Sequence, residues 1–192
     1  MTATLQKFLG RCAEGLIAGA TTETVAAGAT RFADAVATAQ PFDGPPSWLP
    51  VLNTLDALPD NDLSRQLVAL APGLRWTPTF RRDEDGNLDG GNDIALCLLA
   101  TVFTDNALTT EATSDVGITA GLSYLGPHRR YPLHHHAPQE IYLVIAGTAQ
   151  WRYGGAEKYV PVVPGQVIYN HPNDPHSMIT EAEALLALWV LF

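Results

Sequence analysis

A chain of 192 residues is long enough for one domain with a substantial core, and 46% hydrophobic with 16% charged residues is the composition of a folded protein. Eleven Lys and Arg against twenty Asp and Glu leave a formal net charge of −9, which repels phosphate backbones and anionic lipid surfaces, so neither nucleic acid nor a membrane is an expected partner. Cys12 and Cys97 each sit in an apolar stretch with no second cysteine nearby, which excludes a disulfide framework or zinc knuckle and makes them small buried hydrophobes.

No apolar run reaches the roughly 18 residues of a membrane span. Lys7, Arg11 and Glu14 interrupt the start, where a secretion signal would be apolar, so a cytoplasmic protein is expected. Leu5, Phe8, Leu9, Cys12 and Leu16 recur at spacings of three and four, which predicts an amphipathic helix. Val25, Ala29, Phe32 and Val36 do the same behind Thr21-Thr22-Glu23. The Pro/Gly-rich stretch Pro41 to Pro50 cannot continue a helix, and Leu63, Leu67 and Leu70 behind an Asn61 cap predict a third. Residues 1–72 therefore form an N-terminal helical region. Its helices each show one apolar face and too little core to stand alone, so it should serve as a lid or wall on the rest.

From Trp76 the pattern changes to short runs separated by turns, at Asp83 to Asp93, Gly154-Gly155, Val163-Pro164-Gly165 and Pro172 to Pro175. Residues 73–192 accordingly predict a β-sandwich or barrel. Ile94 to Phe103 is a continuous apolar run that fits either a buried strand or a core helix, and we read it as a strand.

The richest segment is Tyr131-Pro-Leu-His-His-His-Ala-Pro-Gln-Glu-Ile-Tyr142. In an extended chain, alternation sends His134, His136, Glu140 and Tyr142 to one face, with Pro138 marking a bend. Imidazole and carboxylate are the ligands of a catalytic transition metal, and a further histidine from another strand would complete the set. His176 is the candidate, behind a turn that returns a second strand. The competing reading of three adjacent histidines is a solvated loop or an adventitious metal contact.

His134-x-His136-x3-Glu140-x6-Gly147 resembles the first cupin motif, and Gly165 followed by His176 resembles the second. That implies an all-β cupin, a double-stranded β-helix barrel, carrying the N-terminal α-helical region. The match departs at Gly126, two residues too far upstream, and at His171, Asn173 and Thr180, where Pro, Gly and Asn are usual; this puts loop details in doubt more than ligands.

Taken with Tyr131, Tyr142 and the closing Leu186-Ala-Leu-Trp-Val190, residues 116 to 192 resemble the bacterial cupin-type dimethylsulfoniopropionate (DMSP) lyases of the DddQ group, which also carry a helical N-terminal region. The resemblance implies β-elimination of DMSP, a small zwitterionic sulfonium compound, to dimethyl sulfide and acrylate. It implies one divalent transition metal on His136, Glu140, His176 and Tyr142, with His134 either a ligand or a supporting neighbour. Zinc is the first expectation and iron or manganese the alternatives. A metal beside Tyr142 can ionise its phenol and make it the base, and Tyr131 resembles a second pocket tyrosine that could take that role.

Tyr124, Trp151, Tyr153 and Trp189 are strand aromatics whose rings either pack the core or offer π-faces to a sulfonium; Tyr124, Tyr131, Trp151 and Trp189 are the candidate substrate-binding side chains. Asp85-x-Asn87-x-Asp89-Gly90 copies half a calcium loop but has Leu96 where a bidentate Glu belongs, and reads as a turn. His128-Arg129-Arg130 is a basic cluster, either solvated or carboxylate-binding. Two other readings stay open: a cupin dioxygenase or isomerase on another small acid, and a non-catalytic cupin sensing a small ligand. Oligomeric state is open too, a homodimer included.

Overall fold

The computed structural model describes residues 3–38, 40–41, 45–82, 88–102, 117–154 and 156–192. Two amphipathic helices, α1 (Ala3–Ala18) and α2 (Glu23–Thr38), open the chain, and Leu5, Phe8, Leu9, Cys12, Leu16, Val25, Ala29, Phe32 and Val36 are all buried. A 3-10 segment, Pro50–Ala57, leads to α3 (Asp62–Leu70). Its cap is reciprocal: the Asn61 side chain accepts from the Leu63 and Ser64 amides while Ser64 Oγ accepts from the Asn61 amide. The same Asn61 donates through Nδ2 to Ile145 O at 2.8 Å, which pins α3 to the barrel.

Among the described residues, all but one of the paired strands follow the helices, and every pairing of named strands is antiparallel. They are β2 (Trp76–Arg82), β3 (Leu88–Val102), β4 (Ile118–Leu125), β5 (Arg130–His134), β6 (Glu140–Gly147), β7 (Ala149–Tyr153), β8 (Val160–Val162), β9 (Val167–Asn170), β10 (His176–Ile179) and β11 (Leu185–Leu191). The exception is β1 (Gln40–Pro41), a two-residue strand inside the helical region that pairs with Thr101 and Ala100 of β3. The larger sheet runs β1-β3-β4-β11-β6-β9, with β2 on β3, and the smaller runs β5-β10-β7-β8.

The ambiguous apolar run lies on β3, with Phe103 outside the described residues. Of the expected turn from Asp83 to Asp93, residues 83–87, with Asp85 and Asn87, lie outside the described residues. From Leu88 the chain is already strand: Gly90 and Gly91 pair with Phe80 and Thr79 beside a register shift at Pro78 and Thr79. Glycines that read as a turn thus sit in the ladder next to a bulge, where the missing side chains cost little.

Burial separates two cores. Helix residues pack with Tyr124, Ile141, Leu143 and Ile145 on the outer face of the larger sheet. Leu125, Tyr131, Tyr142, Val144, Trp151 and Met178 fill the space between the sheets. Covered on both faces, β6 is buried at every residue. It ends at Gly147, whose φ of +76° and 1.7 Å approach of a would-be Cβ to Ala184 O leave room only for glycine.

Candidate active site

Two segments cross between the sheets at one end of the barrel. Residues 135–139 connect β5 of the smaller sheet to β6 of the larger, and 171–175 connect β9 of the larger to β10 of the smaller. The Asn173 amide, at a residue with φ of 60°, donates to His136 O at 2.8 Å and ties the crossings together. Glycine, usual there, would adopt this conformation without strain; asparagine is the next most tolerant residue. Thr180, another departure from the motif, accepts from the Arg129 amide and donates to Gly126 O, so it staples the loop before β5.

These elements converge on His136, Glu140 and His176, whose ligand atoms all lie within 4.8 Å of one another. Glu140 Oε2 is 3.0 Å from His136 Nε2 and 3.2 Å from His176 Nε2, the second contact lacking hydrogen-bond alignment. His136 Nδ1 bonds to Pro138 O at 2.9 Å and His176 Nδ1 to Asp174 O at 2.9 Å. A carbonyl only accepts, so each Nδ1 carries a proton and donates it, which leaves each Nε2 as the nitrogen turned toward Glu140. Two imidazole Nε2 atoms and one carboxylate gathered this closely are a donor set that suits a divalent transition metal. Burial would push the Glu140 carboxyl up, but in the metal-free site the His136 and His176 imidazoles, when protonated, outweigh it and hold the group down at about 2, ionised at neutral pH.

Beside this group lies a pocket of about 140 Å³ lined by Leu96, Ser123, Tyr131, His134, His136, Glu140, Tyr142, Trp189 and Leu191. It is smaller than the roughly 300–1,000 Å³ of sites for drug-sized ligands, which suits a substrate of few heavy atoms. Among the described residues none of the lining comes from the helical region, which packs on the opposite face of the larger sheet.

His134 lies opposite His176 in the β5–β10 ladder, with ring centroids 4.2 Å apart, and its Nδ1 bonds to Pro132 O; it stands outside the three-residue set. Tyr131 packs edge-on against the His134 ring at 4.5 Å. Trp189 lies cross-strand from both Tyr142 and Gly121. A Cβ on Gly121 would come within 2.3 Å of the indole, so the missing side chain is what lets the ring lie there.

Two candidates do not reach the pocket. Tyr124 follows Ser123 on β4 and so faces the other way, into the outer core, where its hydroxyl is 2.6 Å from Thr54 Oγ1. Trp151 sits behind Tyr142, ring centroids 4.8 Å apart, as a support for that wall. Tyr153 and the His128-Arg129-Arg130 cluster are likewise absent from the lining, His128 and Arg129 being exposed.

Sequence reasoning missed Ser123, Leu96 and Leu191 in the lining and Asn170 beside Glu140. The first three follow from alternation only once the strands are registered; the last pairs with Glu140 across β6 and β9.

A two-sheet antiparallel barrel bearing His and Glu donors at one end is a cupin with the makings of a metal centre. The family model for dimethylsulfoniopropionate lyase matches residues 24–187, and the chain belongs to that family of carbon–sulfur lyases. A crystal structure reported with the DMSP lyases RdDddP and RnDddQII is 22% identical, covers 98% of this chain and 92% of its own, and superposes with a TM-score of 0.66. The DMSP lyase DddQ from Ruegeria pomeroyi DSS-3 is 18% identical, with coverages of 100% and 92% and a TM-score of 0.68. A cupin 2 conserved barrel domain protein from Rhodopseudomonas palustris covers 62% of this chain and 71% of its own at 16% identity, with a TM-score of 0.44. No curated protein matches the chain. Among the described residues no helix is long and apolar enough to cross a membrane.

Proposed function

We propose that the chain cleaves DMSP by β-elimination, with one divalent metal on His136, Glu140 and His176 and a pocket tyrosine as the base. The observation that carries this reading is that two phenols, Tyr131 and Tyr142, line the same small pocket as the buried His and Glu donors. When bound, the metal supplies Lewis-acid stabilisation of the negative charge that develops on the substrate carboxylate. Zinc is the ion we assign first, with iron and manganese as alternatives.

Tyr142, two residues from Glu140 on the same face of β6, is our first assignment for the base and a further candidate donor to the metal. It takes the proton from the carbon next to the carboxylate; the C–H electron pair forms the new double bond, and the C–S pair leaves on sulfur as neutral dimethyl sulfide, which needs no acid. The rings of Tyr131, Tyr142 and Trp189 offer π-faces to the sulfonium, while Leu96 and Leu191 keep water from its methyl groups. His134 braces His176 and Tyr131 in this arrangement. Residues 1–72 serve as the wall behind the barrel, and the reaction belongs in the cytoplasm.

Headspace gas chromatography of the purified, metal-loaded protein with DMSP tests the reading, beside a chelator-treated sample. Dimethyl sulfide with an equal amount of acrylate is expected from the loaded sample. Gas release at the uncatalysed rate from a fully loaded sample would overturn it.

A further inference from the structure

We propose that Asn170 is a positioning residue that fixes the rotation of the Glu140 carboxylate, an inference that rests on reading His136, Glu140 and His176 as the metal ligands. Asn170 ends β9 directly across the ladder from Glu140, the first residue of β6, and is only 2% exposed. Its Nδ2 donates to Glu140 Oε2 at 2.9 Å. Turning the amide over would set its oxygen against the carboxylate, two acceptors face to face, so the orientation is determined. The consequence is that Asn170 Oδ1 is buried with no partner among the described residues.

A leucine, with the same branching and number of side-chain heavy atoms, would occupy the position without an unsatisfied acceptor; what the amide alone supplies is an N–H aimed at Oε2. That oxygen also faces His136 Nε2 and His176 Nε2. Once those two nitrogens serve an ion, neither imidazole can donate to Oε2, and among the described residues the Asn170 N–H is the side-chain donor left to hold it. Partners of this kind orient a ligand and set its strength without touching the metal.

The test is titration of the metal-stripped full chain with Co(II), followed by visible absorption, for the wild type, Asn170→Leu, Glu140→Ala and the double variant. Asn170→Leu is expected to weaken Co(II) binding by ~10–100-fold and change the absorption bands. The melting temperature of the metal-free variant should stay level or rise. In the Glu140→Ala background, Asn170→Leu should weaken the residual binding no further. Wild-type affinity and bands in Asn170→Leu would overturn the assignment, and so would an equal loss in both backgrounds, which would make Asn170 a packing residue. Should the leucine variant not fold, Asn170→Ala is read in the same way. A wild-type chain that takes up no Co(II) overturns the metal reading and this inference with it. Binding abolished by Glu140→Ala but untouched by Asn170→Leu overturns this inference alone.

Discussion

The outer core, between helices and larger sheet, and the inner core, between the two sheets, share β6 and differ in kind. The outer core is almost wholly apolar: Phe8, Leu9, Leu16, Phe32 and Leu67 against Ile141, Leu143 and Ile145. The inner space sets buried Glu140, His176 and Asn170 beside aromatic rings. Alternate residues of one strand therefore do different work. Leu143 meets Gly15 of α1, with 3.0 Å between the leucine and a would-be Cβ, while its neighbour Tyr142 faces the pocket. Helix packing gathers on one face of the strand and the pocket on the other.

Stripping away the outer core is expected to have the largest effect. A chain beginning near Trp76 would expose the outer face of the larger sheet, and we expect it to be insoluble or unfolded; limited proteolysis yielding a stable, active fragment from that point would show the helices to be dispensable. Next in size are the donors. His136→Ala, Glu140→Ala and His176→Ala should each lose most of the bound metal by elemental analysis, with activity falling alongside. Full metal content in all three would remove the centre from these residues.

Two neighbouring substitutions sharpen the contrast. Tyr142→Phe keeps the ring and deletes the hydroxyl, so turnover per bound metal should drop by at least ~10²-fold while the melting curve stays in place. Near-normal turnover there, with Tyr131→Phe inactive, would move the base to Tyr131. Leu143→Ala should do the reverse, costing ~2–5 kcal/mol in denaturant unfolding with turnover per folded molecule retained. The smallest effect concerns the thiols. Burial pushes the Cys12 thiol far up and Cys97 up to about 12, against a slight lowering from a backbone hydrogen bond at Arg75. Neither should react with a thiol reagent at pH 8 in the native protein, and both should after denaturation.

The sequence shows the helices plainly because each has a single buried face: Leu5, Phe8, Leu9, Cys12 and Leu16 can only be read one way. It shows the donors because histidine and glutamate are rare in strands buried on both faces. What it does not show is which face of a doubly covered strand looks inward. Ser123 and Tyr124 alternate correctly, but with apolar surroundings on both sides nothing local marks the serine as the pocket residue and the tyrosine as outer packing. Trp151 misled for the same reason, since its layer behind Tyr142 depends on the pairing of β7 with β10. Asn170 is legible only through the register of strands 30 residues apart in the chain.

Gly121 and the indole of Trp189 also supply an optical consequence. Of the four tryptophans, Trp48 is exposed with its Nε1 donating to Asn53, Trp76 is buried and donates to Ala71 O, and Trp151 is fully buried. Trp189 alone among them lines the pocket. Its emission is therefore a built-in reporter of occupancy: a cationic, non-reacting analogue arriving against the ring should quench it, and Trp189→Phe should abolish the signal. Arrival of the ligand can then be timed without a label, separately from the release of volatile product.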